Sequence, residues 1–170
     1  NRDTNVSRLC SYDIVVTTYQ LAMKEAFGKG GGRNKQKNLD SLPKISRSEQ
    51  GSLYQIGWAR IILDEAHTVR NHKSQTSQAM FMLKGGRRWA VTGTPVQNRA
   101  MDMFSLIRFL RISPFDDYTC WKHQIQNGSA LGMKRLGMIV QAILLRRTKD
   151  QIDTFTNKKL VELPERQVIE

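Results

Sequence analysis

The chain has 170 residues, 39% of them hydrophobic, and a formal net charge of +12. That size and composition fit one well-packed domain of the soluble α/β kind and exclude two large ones. The apolar runs are too short to span a bilayer, no secretory signal precedes the first predicted strand, and Cys10 and Cys120 alone make neither a disulfide framework nor a zinc site. The cysteine usage fits a reducing compartment. The basic excess is spread along the whole chain, which points to a polyanionic partner, most simply nucleic acid.

In chain order, Tyr12 to Tyr19 is β-branched and aromatic and predicts a strand, with Ile14-Val15-Val16 buried on both faces as in a parallel sheet. A short helix from Gln20 to Phe27 is expected next. Composition then shifts. Gly28 to Ser52 holds Gly30-Gly31-Gly32, six basic residues and Pro43 without an apolar period, and reads as a flexible basic insertion. Trp58 to Leu63 predicts the second strand. Lys73 to Leu83 predicts a helix with Thr76, Ala79, Met80 and Leu83 on one face, closed by Gly85-Gly86. Arg88 to Val91 predicts the third strand. Asn98 is placed to cap a helix from Ala100 to Leu110. Ser113-Pro114 with Asp116 signals a further helix start and Asn127-Gly128 its stop. Leu136, Ile139, Val140, Ile143 and Leu144 share one face of a helix over Met133–Arg147. Strands alternating with helices predict an α/β fold with a mostly parallel sheet flanked by helices.

Two strand ends carry the chemistry. The apolar run Arg60-Ile61-Ile62-Leu63 stops at Asp64-Glu65-Ala66-His67. Adjacent residues at a strand end point in different directions, so one carboxylate can face a metal-bound phosphate and the other an attacking water. The next strand runs into Thr92-Gly93-Thr94-Pro95-Val96-Gln97-Asn98, a turn with hydroxyls that can both accept and donate. Solvated acids at an ordinary strand terminus are the bland alternative. His72 and His123 show no ligand pattern and read as packing or surface residues.

Taken in order, Asp64-Glu65-Ala66-His67, Thr92 to Asn98, and Leu144-Leu145-Arg146-Arg147-Thr148-Lys149 resemble the Swi/Snf-type branch of superfamily-two helicase-like ATPases, whose Walker B motif takes this DEAH form. Phe109 to Asp117 with Trp121 and Asn127-Gly128-Ser129 most resembles the Lodestar / transcription termination factor 2 subgroup. The resemblance runs from Tyr12 to about Pro164 and leaves the 28–52 insertion uncovered. It implies a partial RecA-like lobe: residues 1–112 form the C-terminal part of the first lobe, and 113–170 a helical extension and the start of the interlobe connection. It implies Mg²⁺ and ATP as cofactors, with Asp64 holding the Mg²⁺ through water, Glu65 polarising the attacking water, and His67 facing the Thr92-Gly93-Thr94 loop. Thr92, Gly93, Thr94, Gln97 and Asn98 would couple hydrolysis to movement. Thr17 and Thr18 match a segment that contacts the DNA backbone in relatives, where hydroxyl and N–H donors suit sequence-independent phosphate contact; β propensity alone explains them equally well. Arg146 and Arg147 match a box near the interlobe region.

The same resemblance implies a double-stranded-DNA translocase acting in the nucleus, with an RNA polymerase II elongation complex and the parent's second RecA-like lobe as partners and no membrane association. Nothing in the sequence matches the phosphate-cradling Gly-x-x-x-x-Gly-Lys-Ser/Thr loop; Gly28 to Gly32 lacks the spacing. In relatives that loop lies upstream and the arginine-finger lobe downstream. Both ends of the chain are therefore expected to be cuts from a longer polypeptide, and the isolated chain is expected to be inactive. A strand-separating helicase and a non-hydrolysing DNA-binding or interaction module stay open as alternatives.

Overall fold

The computed structural model describes residues 3–27, 50–93, 100–146, 151–152 and 156–158. In chain order these hold α1 (Val6–Leu9), α2 (Tyr19–Phe27), α3 (Ser52–Gln55), β1 (Gly57–Leu63), a 3-10 turn (Ala66–Val69), α4 (Gln75–Met82), β2 (Lys84–Ala90), α5 (Ala100–Leu110), α6 (Tyr118–Gln124) and α7 (Ala130–Ile143). No helix among the described residues is long and apolar enough to cross a membrane.

β1 and β2 pair in parallel, from Gly57 opposite Lys84 to Leu63 opposite Ala90. Parallel neighbours need a crossover, and α4 supplies it. Ser74 starts α4 by accepting the Ser77 amide on its hydroxyl at 3.2 Å, and the Ser77 hydroxyl donates back to the Val69 carbonyl at 2.9 Å. One face of the sheet is covered. Ile61 and Leu63 from β1 join Ala22 and Ala26 of α2, Leu53 and Tyr54 of α3, Ala79 to Phe81 of α4, and Leu106 and Phe109 of α5 in one core. The buried Tyr54 ring keeps its hydroxyl satisfied by donating to the Ala79 carbonyl at 3.1 Å, which ties α3 to α4. Arg88 reaches under this layer from β2. Its guanidinium lies 5.1 Å from the Phe109 ring centroid and donates to the carbonyls of Phe109 and Leu83. Burial, with Arg111 adding to it, lowers its pKa to about 10.

Among the described residues, nothing covers the other face of β1 and β2 at Ile62 and Trp89. Arg60, Ile62, Arg87 and Trp89 alternate onto it, with Ile62 and Trp89 more than half exposed. The predicted strand at the N-terminal end is absent from the described ladder: residues 14–18 form no strand, Ile14 and Val16 stand exposed, and Val15 alone of the three packs on the core. A strand exists through its partner, and β1 and β2 pair with each other.

A second correction concerns Gly85-Gly86. They do not stop α4 but lie inside β2, which begins four residues earlier than the apolar pattern suggests. A Cβ on Gly85 would sit 2.5 Å from Ile61 Cδ1, so the glycine is there to seat a neighbouring strand's side chain, not to break a helix.

Beyond α5 lies a second, smaller core of Phe104, Ile107, Trp121 and Ile125, with Leu136 and Ile139 packed against it. α5 therefore feeds both cores, Leu106 and Phe109 into one and Phe104 and Ile107 into the other. Asp117 caps α6 by accepting the Cys120 amide at 2.8 Å, and Ser129 caps α7 by accepting the Gly132 amide at 3.0 Å. Asn127, read as a stop signal, also prepares the next start: its side-chain oxygen accepts both the amide and the hydroxyl of Ser129. α7 accordingly opens at Ala130 and closes at Ile143, upstream of the expected span at both ends.

Candidate nucleotide-hydrolysis site

The site starts where β1 ends. Leu63 accepts the Val91 amide at 2.8 Å, and Val91 accepts the Ala66 amide at 2.8 Å. Val91 thus bridges both sides of the two-residue step Asp64-Glu65 and clamps it to the end of β2. Glu65 takes φ 49° and ψ 50°, the left-handed region that a side chain adopts at a cost. That turn lets the chain leave the strand and enter the 3-10 turn, where Ala66 and Val69 are buried and pin it to the core. Asp64 and Glu65 are thrown outward, both exposed.

Local bonds orient the acidic pair. The Glu65 amide donates to Asp64 Oδ1 at 3.0 Å. His67 Nδ1 lies 3.1 Å from Glu65 Oε2. The family resemblance has His67 facing the threonine turn; its contact is to the Glu65 carboxylate. The Asp64 carbonyl accepts the Tyr19 hydroxyl at 2.7 Å. Desolvation, then the charges of Asp64 and Glu65, push the Tyr19 phenol up to about 12, so it stays a protonated donor.

Because the strands are parallel and Leu63 pairs with Ala90, the residues that follow each of them emerge at the same sheet edge. Thr92, half-buried, and Gly93, exposed, therefore stand beside the Asp64–His67 turn. Thr94, Gln97 and Asn98 lie outside the described residues, as do Arg147 and positions 28–49 of the insertion; positions 50–52 run directly into α3. Arg146 is exposed. Thr17 and Thr18 are exposed just before α2. The Thr18 hydroxyl accepts the Leu21 amide at 3.2 Å and its carbonyl the Ala22 amide at 3.0 Å, so Thr18 acts as the cap of α2 and its O–H remains a donor. Tyr19 was missed as a site residue. Its sequence signal, an aromatic at the end of a β-branched run, is the same as that of a core residue.

Asp64 offers hard carboxylate oxygens at an open edge, and the described residues contain no group of three or more His, Cys, Asp or Glu placed to hold a metal. That donor set fits Mg²⁺ arriving with a nucleotide, since Mg²⁺ takes one or two carboxylates and fills its remaining positions with phosphate and water. It does not fit a resident all-protein cage.

Comparison with known proteins gives a consistent picture. The sequence model of the SNF2-related domain family matches residues 1–168. The chain is 44% identical over 168 residues to transcription termination factor 2 of Drosophila melanogaster, covering 99% of this chain and 14% of that protein. It is 38% identical over 157 residues to DNA repair protein RAD5A of Arabidopsis thaliana, covering 90% and 14%. It is 37% identical over 164 residues to the human helicase-like transcription factor, covering 94% and 14%. Each of these relatives is thus far longer than the matched stretch. Among solved structures, the SWI2/SNF2 ATPase core of Sulfolobus solfataricus in complex with double-stranded DNA matches with a TM-score of 0.61 and 26% identity, covering 83% of this chain and 26% of that one.

Proposed function

The chain belongs to the SNF2-related domain family, and from that premise we propose that it supplies the acidic half of the ATP site in a double-stranded-DNA translocase. The single observation that carries the proposal is the clamped, left-handed turn that holds Asp64 and Glu65 outward at the edge where Thr92 and Gly93 also emerge. In this reading Asp64 would be the residue that holds the Mg²⁺ of bound Mg-ATP. The metal supplies charge neutralisation at the phosphates. Glu65 orients and polarises water, with His67 Nδ1 3.1 Å from its carboxylate. Thr92, Gly93, Thr94, Gln97 and Asn98 relay the state of the site to the rest of the lobe.

Thr17 and Thr18 hold the DNA backbone without reading its bases, in keeping with a basic charge spread along the chain. The solved neighbour's complex with double-stranded DNA supports that polymer. In this reading a phosphate-binding loop and a second RecA-like lobe with an arginine finger complete the site from outside these 170 residues. The likeness to transcription termination factor 2 supports a role in transcription termination; release of transcripts from RNA polymerase II in the nucleus is the finer form of this proposal.

The test is ATP hydrolysis by the full-length parent with and without duplex DNA, together with a strand-displacement assay. We expect hydrolysis that duplex DNA stimulates, no strand separation, and no turnover by the isolated 170-residue chain. Strand separation without duplex stimulation would favour a helicase instead, and a parent that never hydrolyses ATP would leave a binding module.

A further inference from the structure

Tyr19 joins two parts of the proposed machine that are far apart in sequence. Its backbone is the first residue of α2 and directly follows Thr18, the cap. Its ring packs against the main core. Its hydroxyl donates across 45 positions to the main-chain oxygen of Asp64 at 2.7 Å. That oxygen belongs to the peptide plane between Asp64 and Glu65. The N–H of the same plane points to Asp64 Oδ1, and the plane's rotation sets the left-handed φ of Glu65. Holding the carbonyl therefore holds the direction in which both carboxylates leave the strand. A movement of the Thr17–Thr18 segment reaches that plane through one peptide link, a rigid ring and one hydrogen bond.

We propose that Tyr19 is a positioning residue that couples DNA contact at Thr17–Thr18 to the orientation of the Asp64–Glu65 peptide, so that polymer binding is sensed at the hydrolytic carboxylate. The inference rests on the translocase reading above. It requires that, with DNA bound, the tyrosine hydroxyl hold the Asp64 carbonyl more strongly in the transition state than in the ground state, so that its loss appears in kcat and not in DNA affinity. A tyrosine that merely fills the core would contribute its ring and be indifferent to its O–H.

The experiment compares wild type, Tyr19→Phe and Thr17→Ala in the full-length parent, measuring ATP hydrolysis against duplex DNA concentration, nucleotide affinity and melting temperature. Tyr19→Phe keeps the ring and removes the donor. It is expected to lower the DNA-saturated kcat by about three- to tenfold, the scale of one net hydrogen bond. Half-saturating DNA and nucleotide affinity stay near wild type, and melting temperature falls only by what the loss of one hydrogen bond implies. Thr17→Ala is expected to raise half-saturating DNA. A Tyr19→Phe protein with wild-type saturated kcat overturns the coupling. So does one whose loss is matched by weaker DNA or nucleotide binding. If wild type itself shows no stimulation by DNA, the translocase reading fails first, and the coupling falls with it.

Discussion

Leu63 and Glu65 stand two residues apart and obey different constraints. Leu63 is 5% exposed, part of the layer where β1 meets the helices α2, α4 and α5, and its surroundings are apolar and close-packed. Glu65 is exposed and left-handed, held by bonds at its flanks rather than by packing of its own side chain. The comparison separates what keeps the lobe folded from what it does. Unfavourable backbone at Glu65 is tolerated because Val91, Ala66 and Val69 over-determine the turn around it.

The largest expected effect is on chemistry with the fold left alone. Glu65→Gln keeps size and backbone preference and removes the carboxylate. Turnover by the full-length parent should drop by about a hundred- to ten-thousandfold, while nucleotide still binds and amide exchange over 57–70 matches wild type. Unimpaired hydrolysis would take Glu65 out of the mechanism. Slowed hydrolysis accompanied by faster exchange would erase the distinction between the turn and the layer beneath it.

Truncation in the packed layer should do the opposite. Phe109 is fully buried and its ring lies against the half-buried Arg88 guanidinium. Phe109→Ala leaves a cavity under β2 and a cation without its ring, at a cost of about 3–5 kcal/mol. Faster amide exchange across 84–90 and 100–110 is the measurement. Exchange unchanged in those stretches would mean that the core is less cooperative than its burial implies.

A smaller effect sits where α2 meets α3. A Cβ on Gly51 would fall 2.5 Å from Glu25 Cγ and 2.6 Å from its Oε2, the oxygen that accepts the Leu53 amide at 2.9 Å. Gly51→Ala must therefore push a buried carboxylate off its donor, costing roughly 1–3 kcal/mol. Local exchange at 50–56 should rise while DNA half-saturation of the parent is unchanged. A silent substitution would show that Glu25 can move without losing its bonds.

These contrasts also mark what the sequence could reveal. α5 is found over its full predicted span, and β1 and α2 to within one residue at the start, because apolar period and β-branching are local signals. The start of β2 was hidden because Gly85 serves Ile61 on the neighbouring strand, a relation no window along the chain can contain. Tyr12 to Tyr19 has the composition of a buried strand, but composition does not supply a hydrogen-bonding partner, and Ile14 and Val16 end exposed. At the site, the apolar run ending in Asp64-Glu65 was legible as a strand edge. The left-handed backbone of Glu65, its contact with His67, and the Tyr19 bond were not, since each depends on how the chain turns after Leu63.

The finest test of the comparison uses the backbone of Glu65 itself. Asn is tolerated in the left-handed region better than Glu or Gln, because its short polar side chain can satisfy local backbone groups. Glu65→Asn should abolish turnover as fully as Glu65→Gln. Unlike Gln, it should also make the turn more stable, by about 0.5 kcal/mol. The lost contact to His67 joins two exposed groups and contributes little. The measurable quantity is amide exchange at 64–70 in the two variants, slower in Asn than in Gln, with both inactive. Equal exchange would mean that the turn holds no strain worth relieving. Slower exchange with retained turnover would mean that the strained residue and the catalytic residue are not the same one.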